Sequence, residues 1–205
     1  MTVIVDYGVG NLFSLCSSLK YIGAEATVSG EADIIRSADR IILPGVGAFG
    51  DARAKLSINA LDKVVIEEAG RGKPLMGICL GMQMLFDRSY EFGVTDGLGL
   101  IEGEVKPIAP IIPKGYKVPH IGWNALDFTE EGQRSPVFKY ISEGDYVYFV
   151  HSFSAMGCNS SIIASAEYGA GLTAAVQRDN VFGMQFHPEK SGEVGLKILK
   201  AFCEL

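Results

Sequence analysis

The stretch Pro74-Leu-Met-Gly-Ile-Cys-Leu-Gly-Met-Gln-Met-Leu-Phe86 joins a short apolar run to a segment with helical spacing. Residues 74–78 are predicted to form a buried strand, and residues 80–86 a helix. Gly77 and Gly81 lie two residues on either side of Cys79, as in a nucleophile elbow, where the turn is too sharp for larger side chains. Cys79 would then lie at a helix N-terminus, whose dipole favours a thiolate. A buried structural cysteine in a glycine-rich turn is the alternative.

Strands and helices are predicted to alternate in the sequence around this stretch. In the first half, apolar runs predict strands over 3–5, 26–28 and 40–43, and helical spacing predicts helices over 12–22 and 61–69. In the second half, strands are predicted over 145–150, 162–168, 172–177 and 181–186, with a hairpin turn at 178–180 and a last helix over 194–203. Strand–helix alternation is typical of parallel sheets. The sequence therefore predicts one α/β domain over 1–205, with a mixed, mostly parallel central sheet flanked by helices.

Composition limits the classes of function. The 205 residues include 18 Lys and Arg against 24 Asp and Glu, and a net charge of −6 gives no support to a nucleic-acid binder. No apolar run approaches the roughly 18 residues of a membrane helix. A secretory leader would require a positively charged start, but no positive charge precedes Lys20. Four widely spaced cysteines without a CxxC pair argue against a disulfide scaffold. We therefore expect a cytoplasmic protein with neither nucleic-acid nor membrane partners.

A cysteine nucleophile needs a proton-handling partner, and the chain has three histidines. His187 lies in Phe186-His-Pro-Glu189, where Pro188 favours extended geometry at His187. In extended chain His187 and Glu189 would project to the same side. Glu189 could hold one ring nitrogen while the other faces Cys79, which gives a Cys–His–Glu constellation. A solvated His-Pro-Glu turn at the end of a strand is the alternative.

The other histidines and cysteines are less informative. His151 follows a predicted strand and is either a ligand contact or a structural histidine, and the chemistry of His120 assigns it no role. Cys16 and Cys203 are predicted to lie in the core. The residues that could together bind a metal are Cys79, His151, Cys158 and His187. No two of them are closely spaced in the sequence, so we expect no metal site and no cofactor.

A second glycine-rich segment, Pro44-Gly-Val-Gly-Ala-Phe-Gly50, contains a GxGxxG pattern between a strand and a possible helix. The dinucleotide fingerprint also expects an acidic residue at the end of the next strand. Here that strand ends in Gly77-Ile-Cys79, without an acid. We expect instead that flexible backbone in 44–50 directs N–H groups at a developing oxyanion. A nucleotide-binding module is the alternative.

The elbow Gly77-Ile-Cys-Leu-Gly81 together with His187-Pro-Glu189 resembles the class I, or triad, glutamine amidotransferases, and Pro44-Gly-Val-Gly47 is similar to their oxyanion strand. The resemblance implies a flavodoxin-like α/β fold and the release of ammonia from glutamine. It implies a catalytic triad of Cys79, His187 and Glu189, with an oxyanion held by N–H groups of Leu80 and of Val46 or Gly47. Gln83 and Glu91 would bind the head group of glutamine, together with the backbone of His151, Ser152 and Phe153.

Within that family, four segments are similar to the glutaminase subunits of imidazole glycerol phosphate synthases: Asp6-Tyr-Gly-Val-Gly-Asn11, 44–50, Pro119-His-Ile-Gly-Trp-Asn124 and His187-Pro-Glu-Lys-Ser191. This resemblance covers essentially the whole chain. It implies a heterodimer with a (β/α)₈-barrel cyclase, which uses the ammonia to make imidazole glycerol phosphate and an aminoimidazole carboxamide ribonucleotide. Candidate interface residues are Asn11, Trp123, Asn124 and Lys190, with core packing as the alternative for Trp123. Another triad glutaminase or cysteine hydrolase of the same fold is the alternative function.

Overall fold

The computed structural model describes residues 1–205. Its fourteen strands are β1 (Thr2–Val5), β2 (Ala26–Ser29), β3 (Arg40–Leu43), β4 (Leu75–Ile78), β5 (Arg88–Ser89), β6 (Thr95–Asp96), β7 (Glu104–Pro107), β8 (His120–Ala125), β9 (Asp127–Phe128), β10 (Tyr146–His151), β11 (Phe153–Met156), β12 (Ile162–Glu167), β13 (Gly171–Arg178) and β14 (Val181–Met184). Its seven α-helices are α1 (Leu12–Tyr21), α2 (Ala32–Ser37), α3 (Phe49–Ser57), α4 (Leu61–Gly70), α5 (Leu80–Gln83), α6 (Glu130–Arg134) and α7 (Gly192–Cys203).

The central sheet has eight strands in the order β2-β1-β3-β4-β14-β13-β12-β9. Pairing is parallel from β2 to β14 and antiparallel from β14 to β9. The predicted α/β fold with a mixed, mostly parallel sheet is thus confirmed. The predicted turn after Arg178 is also present, because Arg178 pairs with Val181 across the hairpin.

Helices cover both faces of this sheet. Val3 and Val5 of β1 contribute to a core with the buried residues of α2, α3 and α4. Ile4, between them, faces the opposite core with the buried residues of α1 and α7. Because successive residues of a strand point to opposite faces, a continuous apolar run is what a doubly covered strand requires.

Two smaller sheets stand outside the central one, and the sequence did not predict them. The strand predicted over 145–150 is β10, which pairs only with β8 in a two-stranded ribbon. Four further strands form a sheet in the order β11-β7-β5-β6. Strands as short as Arg88–Ser89 carry no periodic signal. The ribbon is attached to the segment that follows β14, since the His187 N–H donates to the Tyr148 carbonyl at 3.0 Å.

The helix predicted over 80–86 is shorter in the structure and ends at Gln83. The carbonyl groups of Met84, Leu85 and Phe86 accept hydrogen bonds from the segment 98–101 instead of from further helical residues. Tertiary hydrogen bonds therefore end this helix, and local spacing could not reveal them.

The remaining differences from the sequence predictions are small. The bounds of helices α2 and α3 were not predicted. Helix α2 has only six residues, too few for a clear helical pattern, and α3 includes Gly50, a poor helix former. Cys16 and Cys203, predicted to be core residues, are only partly buried, because each borders the helix face that packs on the sheet. None of the helices is both long and apolar enough to cross a membrane.

Candidate active site

Cys79 occupies a sharp turn between β4 and α5. Its backbone has φ 53° and ψ −109°, in a region that residues other than glycine rarely adopt. A Cβ added at Gly77 would lie 2.6 Å from the Gly81 carbonyl oxygen, and one at Gly81 would overlap the Leu43 carbonyl oxygen. Both flanking positions therefore require glycine. The turn is a nucleophile elbow, with the cysteine at the start of a helix.

His187 and Glu189 are paired beside this turn. His187 Nδ1 lies 2.8 Å from Glu189 Oε1, and both side chains are only 3% exposed. His187 is extended, with φ −100° and ψ 98°, but residues Pro188–Lys190 form a 3₁₀ turn. The turn, rather than the predicted strand alternation, returns the Glu189 carboxylate to the imidazole. The predicted contact is present, and the predicted reason for it is wrong.

The protonation state of His187 follows from its neighbours. Burial by itself lowers the pKa of His187, but hydrogen bonds with Cys79 and Glu189, together with their negative charges, outweigh it and raise the pKa to about 9. His187 is therefore an imidazolium at neutral pH. Since Nδ1 is held by Glu189, Nε2 is the ring atom left for Cys79. The arrangement can transfer a proton to a leaving group next to the sulfur.

A cavity of about 360 Å³ opens over Cys79. This cavity is lined by residues from almost every predicted part of the site: the nucleophile, the proton donor, the oxyanion site, the substrate site and part of the interface. They are Cys79, His187, Val46, Gly47, Leu80, Gln83, Glu91, His151, Ser152, Phe153 and Lys190. Glu189 lies behind His187, away from this cavity, and its Oε2 is buried without a hydrogen-bond partner.

Two backbone segments border the sulfur. Gly45 packs directly on the elbow, since a Cβ there would lie 2.6 Å from the Gly81 nitrogen. Val46 is 42% exposed and Gly47 has φ +93° with open space around it. Leu80 is the first residue of α5, so its N–H takes no part in the helical hydrogen bonds. The segment 45–47 thus combines a fixed end with a free one.

Gln83 and Glu91 form part of the cavity wall through contacts of their own. Gln83 Nε2 donates to the Phe153 carbonyl at 3.2 Å and to Gln185 Oε1 at 3.0 Å. Glu91 Oε2 accepts from the Phe49 N–H at 2.6 Å, at the N-terminus of α3. One oxygen of each side chain has no protein partner and is available to a ligand.

His151 belongs to a buried chain of hydrogen bonds. Its Nδ1 lies 2.8 Å from the Phe153 carbonyl and its Nε2 lies 3.0 Å from His120 Nδ1. His120 Nε2 in turn lies 2.8 Å from Asn124 Oδ1. Burial lowers the pKa of both imidazoles, to about 4 for His151. Both ring nitrogens of His151 are therefore used inside the protein, which favours the structural alternative for its side chain. The role of His120, as the link between His151 and Asn124, could not be predicted from the sequence.

The candidate interface residues differ in their availability. Trp123 is 52% exposed and packs edge-on against Tyr148, with 6.0 Å between ring centroids, so the core-packing alternative is wrong. Lys190 is exposed, with Nζ 5.9 Å from the Tyr148 ring centroid. Asn124 uses Nδ2 to donate to the Glu167 carbonyl at 2.7 Å, so its side chain is already engaged. Asn11 is partly buried beside a narrow crevice that Glu189 also lines.

Two site residues were missed by the sequence reasoning. Gln185 is completely buried, and its Nε2 lies 3.8 Å from Cys79 Sγ. Tyr7 is buried and donates its hydroxyl hydrogen to the Pro44 carbonyl at 2.6 Å. The available signal for Gln185 was a single amide at the end of the apolar run 181–186, two residues before His187.

The fold and this site define a class of protein. A family model described as "Glutamine amidotransferase class-I" matches residues 3–204, and the chain belongs to this family. The "Imidazole glycerol phosphate synthase subunit HisH" of Wolinella succinogenes is 47% identical over 207 residues, which cover 100% of both chains. The protein of the same name from Caldanaerobacter subterraneus subsp. tengcongensis is 47% identical over 206 residues, covering 100% of this chain and 98% of that protein. The predicted family is confirmed.

Solved structures have the same fold. The structure described as "Structure of PurLQS from Thermotoga maritima" has a TM-score of 0.75 and 23% identity, and covers 99% of this chain and 97% of that chain. One described as "Crystal structure of glutamine amidotransferase" has a TM-score of 0.75 and 20% identity, covering 98% and 97%. At these identities the match bears on the fold alone.

Proposed function

We propose that this chain is the glutaminase subunit of an imidazole glycerol phosphate synthase. It hydrolyses glutamine to glutamate and ammonia, and passes the ammonia to a cyclase partner. The observation that supports hydrolysis is the strained Cys79 beside an imidazolium held by Glu189. The assignment to this synthase is supported by full-length relatives of that name at 47% identity.

The first half of the reaction makes a thioester. The Cys79 thiolate attacks the side-chain amide carbon of glutamine, forming the S–C bond and an oxyanion. N–H groups of Leu80 and of Val46 or Gly47 stabilise that oxyanion. The C–N bond then breaks, and the nitrogen takes its proton from His187 Nε2 as it departs as ammonia.

The second half restores the enzyme. His187, now neutral, removes a proton from water, and the resulting oxygen nucleophile attacks the thioester carbon. The S–C bond breaks, glutamate leaves, and the electron pair returns to sulfur. Glu189 holds the ring through Nδ1 and stabilises its charged form, as the acid of a triad does.

The cavity supports recognition of glutamine. The free oxygens of Gln83 and Glu91 can accept hydrogen bonds from the ammonium group of the amino acid. The backbone at Ser152 and Phe153, held in place by His151, provides polar groups for its carboxylate. The volume of about 360 Å³ is of the size expected for a small-molecule site.

A docked partner is expected on chemical grounds, because ammonia released into bulk water is protonated and ceases to be a nucleophile. We assign the partner as a (β/α)₈-barrel cyclase in a heterodimer. Exposed apolar side chains on the outer face of the β8–β10 ribbon are suited to such an interface. The proposed contact includes Trp123, the Lys190 side chain at the cavity mouth, Asn11 and the backbone around Asn124.

A cytoplasmic location is part of the same proposal. All four cysteines are free thiols, and the proposed nucleophile acts only when reduced. Reducing compartments keep such thiols available.

The test uses the chain together with a cyclase subunit. Cys79→Ala should abolish glutamate release, because no other nucleophile occupies the elbow, while the complex should still form product from free ammonium. Cys16→Ala, at a partly buried thiol on α1, is the matched control and should leave both activities unchanged. Near wild-type glutamate release by Cys79→Ala would refute the assignment of Cys79 as the nucleophile. Cleavage of peptides in place of glutamine would favour a cysteine hydrolase of the same fold.

A further inference from the structure

We propose that Gln185 is a further catalytic residue, which donates a side-chain N–H to the Cys79 sulfur and stabilises its negative charge. Gln185 lies just beyond β14, completely buried, with Nε2 3.8 Å from Cys79 Sγ. Its part in turnover rests on the proposed glutaminase function. The contact itself involves only groups of this chain and does not depend on glutamine.

The orientation of the Gln185 amide is fixed by a chain of hydrogen bonds. The two ends of an amide have the same shape, so only their partners distinguish oxygen from nitrogen. The Phe153 carbonyl can only accept, and it lies 3.2 Å from Gln83 Nε2, which must therefore be the donor end of that amide. The same Nε2 lies 3.0 Å from Gln185, so the Gln185 atom there is the oxygen. Its NH₂ end consequently faces the sulfur.

Burial makes this donor effective. Gln185 is not exposed at all, so water does not compete with the Cys79 sulfur for its N–H group. A donor to a charged acceptor favours the charged form, and such hydrogen bonds are stronger than those between neutral groups. Because Gln185 is uncharged, it stabilises the thiolate without adding a proton that titrates. The distance of 3.8 Å is that of a hydrogen bond to sulfur, whose radius exceeds that of oxygen.

The donor matters at two points of the reaction. Before attack it holds the thiolate in place. When the thioester is hydrolysed, the S–C bond breaks and the electron pair returns to sulfur, so the same N–H stabilises the departing thiolate. No reactant beyond glutamine and water is needed. In between, the thioester sulfur is neutral, and the contact is correspondingly weaker.

Gln83 acquires a second role on this account. Both of its N–H bonds are committed, one to the Phe153 carbonyl and one to Gln185. Gln83 is thus a positioning residue for Gln185, in addition to any contact that its oxygen makes with substrate.

The test is the pH dependence of Cys79 alkylation by iodoacetamide, in which an S–C bond forms and iodide leaves. Gln185→Met keeps the volume and removes the donor, and should move the pH of half-maximal alkylation upward by about one unit. Thr173→Val is the matched control, because it also removes a buried side-chain donor, one that bonds to the Ala155 carbonyl of β11 and not to the Cys79 sulfur. This control should not move the profile. The titratable groups that face Cys79, unchanged in both variants, are His187, Tyr7, His151, Glu91 and Lys190.

An unchanged profile in Gln185→Met, or an equal shift in Thr173→Val, would overturn the proposal. Should Gln185→Met fail to fold, the wild-type chain supplies the answer by nuclear magnetic resonance. The side-chain NH₂ resonances of Gln185 should move when Cys79 is alkylated, and unmoved resonances refute the contact. Neither readout uses glutamine, so both remain decisive even if the chain proves not to be a glutaminase.

Discussion

The hydroxyl of Tyr7 donates a 2.6 Å hydrogen bond to the backbone carbonyl oxygen of Pro44, the residue that precedes the segment 45–47. Burial, reinforced by the charge of Cys79, raises the pKa of Tyr7 far above its ordinary value, so the phenol is a permanent donor. Gly10, from the same loop as Tyr7, packs so closely that a Cβ there would lie 2.9 Å from the Pro44 Cβ. The loop after β1 thus anchors the fixed end of the proposed oxyanion segment.

We predict that Tyr7→Phe, which keeps the ring and removes the hydrogen bond, lowers kcat about tenfold and leaves KM nearly unchanged. The reason is that the oxyanion donor serves the transition state rather than the bound substrate. The free energy of unfolding should fall by about 1 kcal/mol. Steady-state glutamate release with the partner present measures the first effect, and urea denaturation the second. Tyr21→Phe, at a side chain 80% exposed, is the control. A selective rise in KM would contradict the assignment.

The elbow predicts a second outcome, for stability. Gly81→Ala places a methyl group against the Leu43 carbonyl oxygen, which belongs to β3 and is not free to move. We expect a loss of at least about 3 kcal/mol in unfolding free energy, in the range of severe overpacking. Gly70→Ala is the matched control, because that glycine ends α4 with open space around it. There alanine should be neutral or stabilising, owing to its higher helix propensity. Similar urea midpoints for the two variants would show that the elbow tolerates a side chain.

Much of the fold could be predicted because the signals are local. The apolar runs of β1, β3 and β4, which are buried on both faces, are visible in the sequence, as are the two glycines that the turn at Cys79 requires. Gly77 and Gly81 are informative because their spacing reflects a steric requirement rather than a preference.

Other parts of the site depend on contacts between distant segments, which local patterns do not encode. Gln185 reaches Cys79 only because β14 pairs with β4 in register, with Met184 opposite Ile78. His120 meets His151 only because β8 pairs with β10. The pairing of His187 with Glu189 was predicted from the alternation of side chains in extended chain. In the structure a 3₁₀ turn brings the same two residues together, so the prediction was right for the wrong reason.

A third prediction concerns pH. The pKa of His187 lies at about 9, above its ordinary value of 6.5. The contribution of the imidazolium to stability is therefore complete below pH 6.5 and is lost as pH rises through about 9, where His187 also loses its proton for the leaving ammonia. A plot of kcat/KM against pH should fall with a midpoint near 9. Glu189→Gln removes one of the charges that raise the pKa, so the midpoint should move to lower pH.

The same variant should retain more activity than His187→Ala, because orientation is secondary to proton transfer. In a serine triad, removing the acid costs about ten- to a hundredfold less than removing the histidine, and we expect a similar difference here. The two variants are compared by glutamate release at pH 7 under saturating glutamine. Equal losses would mean that Glu189 does more than orient the ring, whereas an alkaline midpoint that Glu189→Gln leaves in place would mean that its charge does not raise the pKa of His187.

The last prediction concerns control by the partner. Val46 is 42% exposed between Gly45 and Gly47, and a cavity of about 530 Å³ separates its segment from the loop after β1. The peptide units there have room to rotate, while Tyr7 and Gly10 hold Pro44 in place. An oxyanion donor on such backbone need not point at the substrate in the isolated chain, and a partner docked beside it can shift the population toward the inward state.

Loss of one oxyanion donor costs about 10²–10³ in rate in a well-studied protease. We therefore predict that the isolated chain is a poor glutaminase, and that the cyclase subunit with its nucleotide ligand raises turnover by roughly two orders of magnitude or more. Glutamate release is measured for the chain alone, with the partner, and with the partner and ligand. The rate of Cys79 alkylation serves as the control, since it needs no oxyanion donor and should not rise when the partner or its ligand is added. Full glutaminase activity in the isolated chain would refute this mode of control, because it would mean that the oxyanion donor already points inward without the partner. The assignment of Cys79, His187 and Glu189 as the triad does not depend on this outcome.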